Sequence, residues 1–518
     1  MHTDTLFLVL FIVATTVALL ARRLRLPYTV ALVVAGLVLG QLHAFQAPHL
    51  TRDLLFKVFL PGLIFEAAFH FDFSHFRRDQ SLILALAVPG VLAAILLTAA
   101  ILVPAAQLLP LTEFITWRHA LVFGALIAAT DPIAVVGLFR SLGAPPRLGA
   151  LLEGESLLND GTAIVFFGIS LGLVSGTALT ASGVVIEFIR VVGIGVAAGL
   201  VIGLTISTAI RAIDDAMIEI TLTSIAAYGS FIAAEQVHGS GVMATVVAGM
   251  ICGNYGARTG MAPTTRVAVE AFWEYVAFAL NSIVFLLIGF EVALPQLLHY
   301  WQLILPAFIA VTVGRAAVVF SVSTLTSRRA NPIPARWRVV LSWGGLRGGL
   351  SMVLALSLPL DFPNRGLLIV TTFGVVLLSI LVQGFTMGPL LRRLGLIRSK
   401  DERIAYDLHR GELQSAQAAL LEVNRMLGQR HADEAGLTTL RNEYQERLSS
   451  VQDQLLQMRQ EQGGLYQHDL QIARRHLLMV EKAQAIESFR EGLLEREAYE
   501  KLLARLDERV LQLDREPN

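Results

Sequence analysis

Two short stretches of otherwise apolar chain carry acids: Thr130-Asp131-Pro132 and Glu155-Ser156-Leu157-Leu158-Asn159-Asp160. A carboxylate near the middle of a bilayer costs about 3 kcal/mol on insertion scales, and acids kept there mark ion pathways and proton relays. Pro132 removes a backbone donor and disfavours helix at the residue before it, so a helix over 118–139 should break near Thr130 and Asp131. In hydrocarbon, broken backbone survives only where it is buried in protein or lines a wet cavity. Transporters place such breaks near the midplane, where carbonyls and helix ends hold ions. The plainer alternative is a proline kink with Asp131 capping the second half-helix. Both fit: Asp131 serves the helix ends while Thr130 offers oxygen to an ion.

On a helix beginning near Leu151, Glu155 and Asn159 share a face, and Asp160 lies about 100° further round. Ser156 and Asp160 are an i, i+4 pair, so one hydroxyl and one carboxylate reach a single cation. Hard monovalent cations want such oxygens. A lone Asn or Ser in a membrane helix is ordinary interhelical glue; two acids and an Asn at this spacing point to a site. Two arginines stand ready to answer the acids. Arg347 lies in Gly344-Gly345-Leu346-Arg347-Gly348-Gly349, where small residues allow close helix approach or local unwinding. Arg315 lies inside the apolar segment 301–324. A guanidinium at that depth needs a carboxylate or several carbonyls as partners. The expected pairing is Glu155 with Arg347, which leaves Asp160 free to titrate, while Arg315 steadies the broken helix near Asp131. Glu66, in Pro61-Gly62-Leu63-Ile64-Phe65-Glu66, is a further intramembrane acid with no evident local partner.

The elements that must position these residues are membrane helices. The chain of 518 residues is 54% hydrophobic and 16% charged, with a mean hydropathy of +0.62, where a soluble chain carries about 25% charged residues. Net charge is zero, which gives no sign of a nucleic-acid partner. Cys252 is the single cysteine, so an intrachain disulfide and a cysteine-rich metal site are excluded. Spans of about 20 apolar residues are expected at 4–21, 28–42, 53–70, 81–103, 118–139, 150–177, 184–209, 216–236, 240–255, 270–293, 301–324, 337–358 and 365–391. That is an all-α, polytopic membrane protein with about thirteen spans. The basic cluster Arg22, Arg23 and Arg25 follows the first apolar stretch, so residues 5–20 read as a span and not a signal peptide. Arginines recur in alternate loops through Arg77/Arg78, Arg140/Arg147, Arg211, Arg258/Arg266, Arg328/Arg329 and Arg392/Arg393. This places the N-terminus outside and the C-terminus in the cytoplasm. The expected division is 1–398 in the membrane and 399–518 as a helical cytoplasmic tail. In the tail, Leu440, Tyr444, Leu448, Val451, Leu455 and Met458 recur at spacings of three and four, as in an amphipathic or coiled-coil helix. The tail reads as a small helical or self-association domain.

Thr-Asp-Pro, a Glu ahead of an Asn-Asp pair, and Gly-Gly-Leu-Arg-Gly, in this order and with this topology, resemble the monovalent cation–proton antiporters of the bacterial NhaP and animal NHE type. The resemblance covers roughly residues 1–395 and leaves the tail outside. It implies thirteen helices in two inverted-topology repeats with interrupted crossover helices, a dimer domain plus a mobile core, and elevator-like exchange. It implies a homodimer in the cell membrane that needs no resident cofactor, its partners being a monovalent cation, the proton and lipid. By motif match Asp160 alternately takes Na⁺ or H⁺, with Thr130, Ser156 and, more loosely, Glu66 beside the ion. It also implies the Glu155–Arg347 pair. Asn159 in place of a second Asp implies electroneutral one-for-one exchange.

Other readings have less behind them. A K⁺/H⁺ antiporter would use the same site. A pH-gated cation channel needs a continuous pore lined by repeated carbonyls or acidic rings, and no filter-like segment is visible. A hydrolase would need a glycine two places after Ser156 for a nucleophile elbow, or a His-Glu-x-x-His motif, and has neither; the chain reads as a transporter and not an enzyme. His43, His49 and His299 fall in expected external loops. His70, with Asp72 and His75, sits at a cytoplasmic helix end, where an interfacial role is the plain reading and pH sensing the sharper one.

Overall fold

The computed structural model describes residues 3–24, 28–41, 55–108, 116–174, 180–213, 215–257, 260–291, 294–326, 333–397, 400–427 and 434–461, with scattered positions after 473. Every regular element among the described residues is helical. The chain folds as two compact units, Met1–Leu394 and Gly395–Asn518.

Among the described residues of the first unit seven helices are long and apolar enough to cross a membrane: Phe76–Gln107, Pro146–Val174, Ser182–Ile210, Ala216–Gln236, Thr265–Phe290, Trp301–Thr326 and Arg365–Arg393. Leu10–Ala21, Tyr28–Gln41 and Gly241–Gly256 are shorter apolar helices. The expected segments 118–139 and 337–358 are both divided. The first becomes Trp117–Leu126 and Ile133–Leu142; the second becomes Ala335–Trp343 and Gly349–Leu356. Pro132 explains the first break. At the second, the glycine run takes the unwound alternative.

Helix ends carry their own signals. The Asp215 carboxylate accepts from the Met217 and Ile218 N–H groups at 2.9 and 3.1 Å, and the Ser240 hydroxyl accepts from Met243 N–H at 3.2 Å. Gly143, at φ 69°, closes Ile133–Leu142 in the left-handed conformation that glycine adopts without cost. Pro89 lacks an N–H, and there the helix widens into a π turn, Leu86–Gly90. The Thr162 hydroxyl donates to the Ala87 carbonyl at 2.6 Å beside that turn. This bond ties the Pro146–Val174 helix to its neighbour less than one turn from Asn159 and Asp160.

The first half-helix is anchored by Phe123, Leu126 and Ile127, all fully buried with Ile95 and Leu102 in the main apolar cluster. Between lipid-embedded helices such packing holds through van der Waals contact, since lipid tails are as apolar as the side chains. In the second unit, Lys400–Leu427 and Glu434–Glu461 pack against each other. Val451 and Leu455 are buried there with Leu413 against them. Leu440, on the same stripe, stays 42% exposed, so the apolar seam closes only toward its C-terminal end.

Candidate ion-binding site

The two unwound segments meet and satisfy each other's backbone. Asp131 N–H donates to the Leu346 carbonyl at 2.8 Å. The Arg347 guanidinium donates to the Ala128 and Ala129 carbonyls at 2.8 and 3.3 Å. The Arg347 N–H is taken by Ser379 Oγ at 2.9 Å, and Ser379 in turn bonds Gln383. The Asp131 carboxylate accepts from Ile133 N–H at 3.0 Å and so starts the second half-helix.

The Pro146–Val174 helix lies along this junction. The Ser156 hydroxyl donates to the Thr130 carbonyl. The Asn159 amide donates to the Ala128 carbonyl at 3.0 Å and to Thr130 Oγ1 at 3.1 Å. Asp160 is different: its Oδ1 is buried without a hydrogen-bond partner among the described residues. Asp131 is the charged neighbour that acts on it.

These groups open onto one cavity of about 420 Å³, lined by Glu66, Thr130, Asp131, Ser156 and Asp160 among others. Five oxygen-bearing residues foreseen from three separate stretches of sequence therefore share one space. The Ser156 hydrogen is spent on Thr130, so the lone pairs of its oxygen are left for a cation. Carboxylate, hydroxyl and carbonyl oxygens together suit a hard cation.

The arginines exchange roles relative to the sequence expectation. Glu155 is held by Arg315, in a two-bond contact at 2.8 and 3.0 Å, and the same guanidinium reaches the Leu341 carbonyl at 2.9 Å. The pair is buried, with 4% and 8% side-chain exposure. The expected Glu155–Arg347 pair is thus replaced by Glu155–Arg315, and it is Arg347 that steadies the broken helix. The reason is reach: Arg315 projects from a continuous helix beside the second break, whereas Arg347 lies within the break, facing the carbonyls of the first. Glu66 also has a local partner after all, His70 one turn on, at 3.2 Å. Glu153 and Asn281 line the cavity as well. Glu153 is a lining residue outside the sequence expectation, and its signal is spacing: it precedes Asp160 by seven residues, two helical turns on the same face.

Residues 8–393 match the family model described as sodium/hydrogen exchanger, transmembrane. The chain belongs to this family. The Na(+)/H(+) antiporter NhaG of Bacillus atrophaeus is 33% identical over 515 residues, covering 97% of this chain and 96% of that one. The Na(+)/H(+) antiporter NhaP of Pseudomonas aeruginosa is 42% identical over 351 residues, 66% of this chain and 81% of that one. The solved sodium proton antiporter MjNhaP1 of Methanocaldococcus jannaschii at pH 8 superposes with a TM-score of 0.59 at 20% identity, covering 75% of this chain and 97% of that one; this is a likeness of fold. The alignment with NhaG runs on past residue 395, so the tail that the motif resemblance left out has a counterpart there.

In this exchanger the junction tolerates no side chain at Gly348, where a Cβ would stand 3.0 Å from the Asp131 carboxyl carbon and closer still to its Cβ. Gly348→Ala is expected to cost about 1–3 kcal/mol of overpacking, measured as a lower melting temperature in detergent. Gly366→Ala, whose Cβ would meet nothing within 4 Å, is the control and is expected to leave the melting temperature equal or higher, since alanine favours a helix over glycine.

Proposed function

We propose that this chain exchanges Na⁺, with Li⁺ or K⁺ as substitutes, for H⁺ across a cell membrane, one for one, by competition of cation and proton for Asp160. The observation that carries the reading is the cavity that gathers Asp160, Ser156, Thr130, Asp131 and Glu66 around a buried carboxylate oxygen without a partner. Proton and cation each neutralise that carboxylate, so whichever is more abundant on one side displaces the other. A bare buried charge is held back by its desolvation cost, and this couples the two fluxes. The names of the relatives support Na⁺ as the cation.

Electroneutrality has support in Asn159. Its amide nitrogen faces two acceptors, the Ala128 carbonyl and Thr130 Oγ1. Its place is that of a donor holding the broken segment, and it brings no second titrating acid to the site. Two interrupted helices, one in each half of the membrane unit, support a pair of inverted repeats and a count near thirteen helices. The N-terminus outside, the C-terminus in the cytoplasm, the homodimer and alternating access by a mobile core belong to the same reading.

The test is proton flux in proteoliposomes on addition of Na⁺, Li⁺ or K⁺, with and without a clamped membrane potential. Flux that follows Na⁺ and ignores voltage is expected. Flux driven by K⁺ alone would keep the mechanism and change the cargo. Cation current driven by voltage without proton counterflow would overturn the exchange reading in favour of a channel.

A further inference from the structure

The Glu66 carboxylate does not face the cavity unopposed. His70 Nδ1 lies 3.2 Å from Glu66 Oε1 and 3.0 Å from the Glu66 backbone carbonyl. Both partners accept, so Nδ1 carries the hydrogen and donates to them. Both side chains line the cavity that holds Asp160, with 22% exposure for Glu66 and 27% for His70.

We propose that His70 is a positioning residue for exchange: it tethers the Glu66 carboxylate, and the transported cation has to take that carboxylate away from it. This rests on Glu66 serving the cation, as proposed above. The tether is an N–H donor already placed on the carboxylate, so the cation gains Glu66 only by displacing it. The carboxylates acting on the ring are Glu66 on its own helix and Glu270 from Pro263–Glu291; Glu270 is itself bonded by Arg266 at 2.8 Å. Asp131, Glu153 and Asp160 stand on the other walls of the cavity. Of the other helices packed on Leu60–His70, Ala216–Gln236 carries Glu219 and Glu235, Leu55–Phe59 carries Lys57, Pro146–Val174 adds Arg147 and Glu155, and Gly241–Ile251 and Cys252–Gly256 carry no charge. The nearest side-chain partner of the ring is thus the carboxylate that the cation needs.

The experiment measures Na⁺-driven proton flux of the full chain in proteoliposomes for wild type, His70→Ala, His70→Gln, Glu66→Gln and the His70→Ala/Glu66→Gln double variant, all at one pH. A partly exposed contact of this kind is worth up to about 1 kcal/mol, or about fivefold. His70→Ala is expected to lower the Na⁺ KM by about two- to fivefold, with maximal rate unchanged. His70→Gln, which keeps an N–H donor, should stay near wild type. In the Glu66→Gln background His70→Ala should leave KM where it was. A His70→Ala effect confined to maximal rate, or one that persists in Glu66→Gln, would overturn the tether. Should wild type give no exchange at all, the functional reading falls by itself. Na⁺-dependent melting shifts in detergent then still decide the tether, which requires a larger shift in His70→Ala than in wild type and is refuted by equal shifts.

Discussion

Asp160→Asn is expected to bring Na⁺-driven proton flux down to that of protein-free liposomes while the protein still folds and inserts. The substitution is nearly isosteric, so the packing of the Pro146–Val174 helix has no reason to change. What is lost is the group that can be either neutral or charged. The surrounding oxygens cannot replace it, because the Ser156 and Thr130 contacts already hold the broken segment in place. An amide in this position neither takes a proton nor neutralises a cation, so neither half of the cycle can run. Stability should be equal or higher, since an incompletely compensated buried charge has been removed. Measurable Na⁺-dependent proton flux in this variant, at normal protein density in the liposomes, would remove Asp160 from the mechanism.

The second large effect is on stability. Breaking a buried ion pair from one side strands the other charge and costs about 3–5 kcal/mol. Glu155→Leu and Arg315→Leu are each expected to lose about that much, read from unfolding in detergent. The double variant is expected to recover most of it, because two packed apolar side chains need no compensation. Arg347→Leu should also destabilise, by unpairing the Ala129 carbonyl and removing one of the two donors to the Ala128 carbonyl, but Glu155→Leu should not rescue it. Rescue of Arg347→Leu by Glu155→Leu, with none for Arg315→Leu, would reverse the assignment of the two arginines.

That assignment marks where sequence reading stops. The break at Thr130-Asp131-Pro132 is legible because proline acts through its own covalent geometry, within one residue. The polar face of Glu155, Ser156, Asn159 and Asp160 is legible because helical periodicity is local too. Glycine is permissive, so Gly344–Gly349 allowed both a close crossing and an unwound turn, and only tertiary packing chose. Which arginine meets Glu155 depends on how the Trp301–Thr326 helix passes the second break, a contact across 160 residues of chain. No local pattern encodes that. The Glu66–His70 contact is a different kind of omission: an i, i+4 acid–histidine pair is readable from spacing alone. The histidines His70 and His75 with Asp72 at the helix end form a competing local cluster, which masks the pairing with the acid one turn before. In the tail, the stripe from Leu440 to Met458 correctly announces a helix, but periodicity does not say how far along its length a partner covers it.

The mutual bonding of the two unwound segments also bears on how the chain is made. Arg347 serves the Ala128 carbonyl across 219 residues of chain, and ribosomes add about 5–20 residues per second. The first broken helix therefore enters the membrane roughly 10–45 s before its partner exists. During that interval the Asn159 amide can occupy the Ala128 carbonyl, but the Ala129 carbonyl and the Asp131 N–H, bonded in the finished protein to Arg347 and Leu346, have no such substitute. Backbone groups of that kind do not persist in hydrocarbon. The nascent first half must stay hydrated along this seam until the second half arrives, so biosynthesis passes through a stage in which water holds the backbone groups that Arg347 and Leu346 hold in the finished protein.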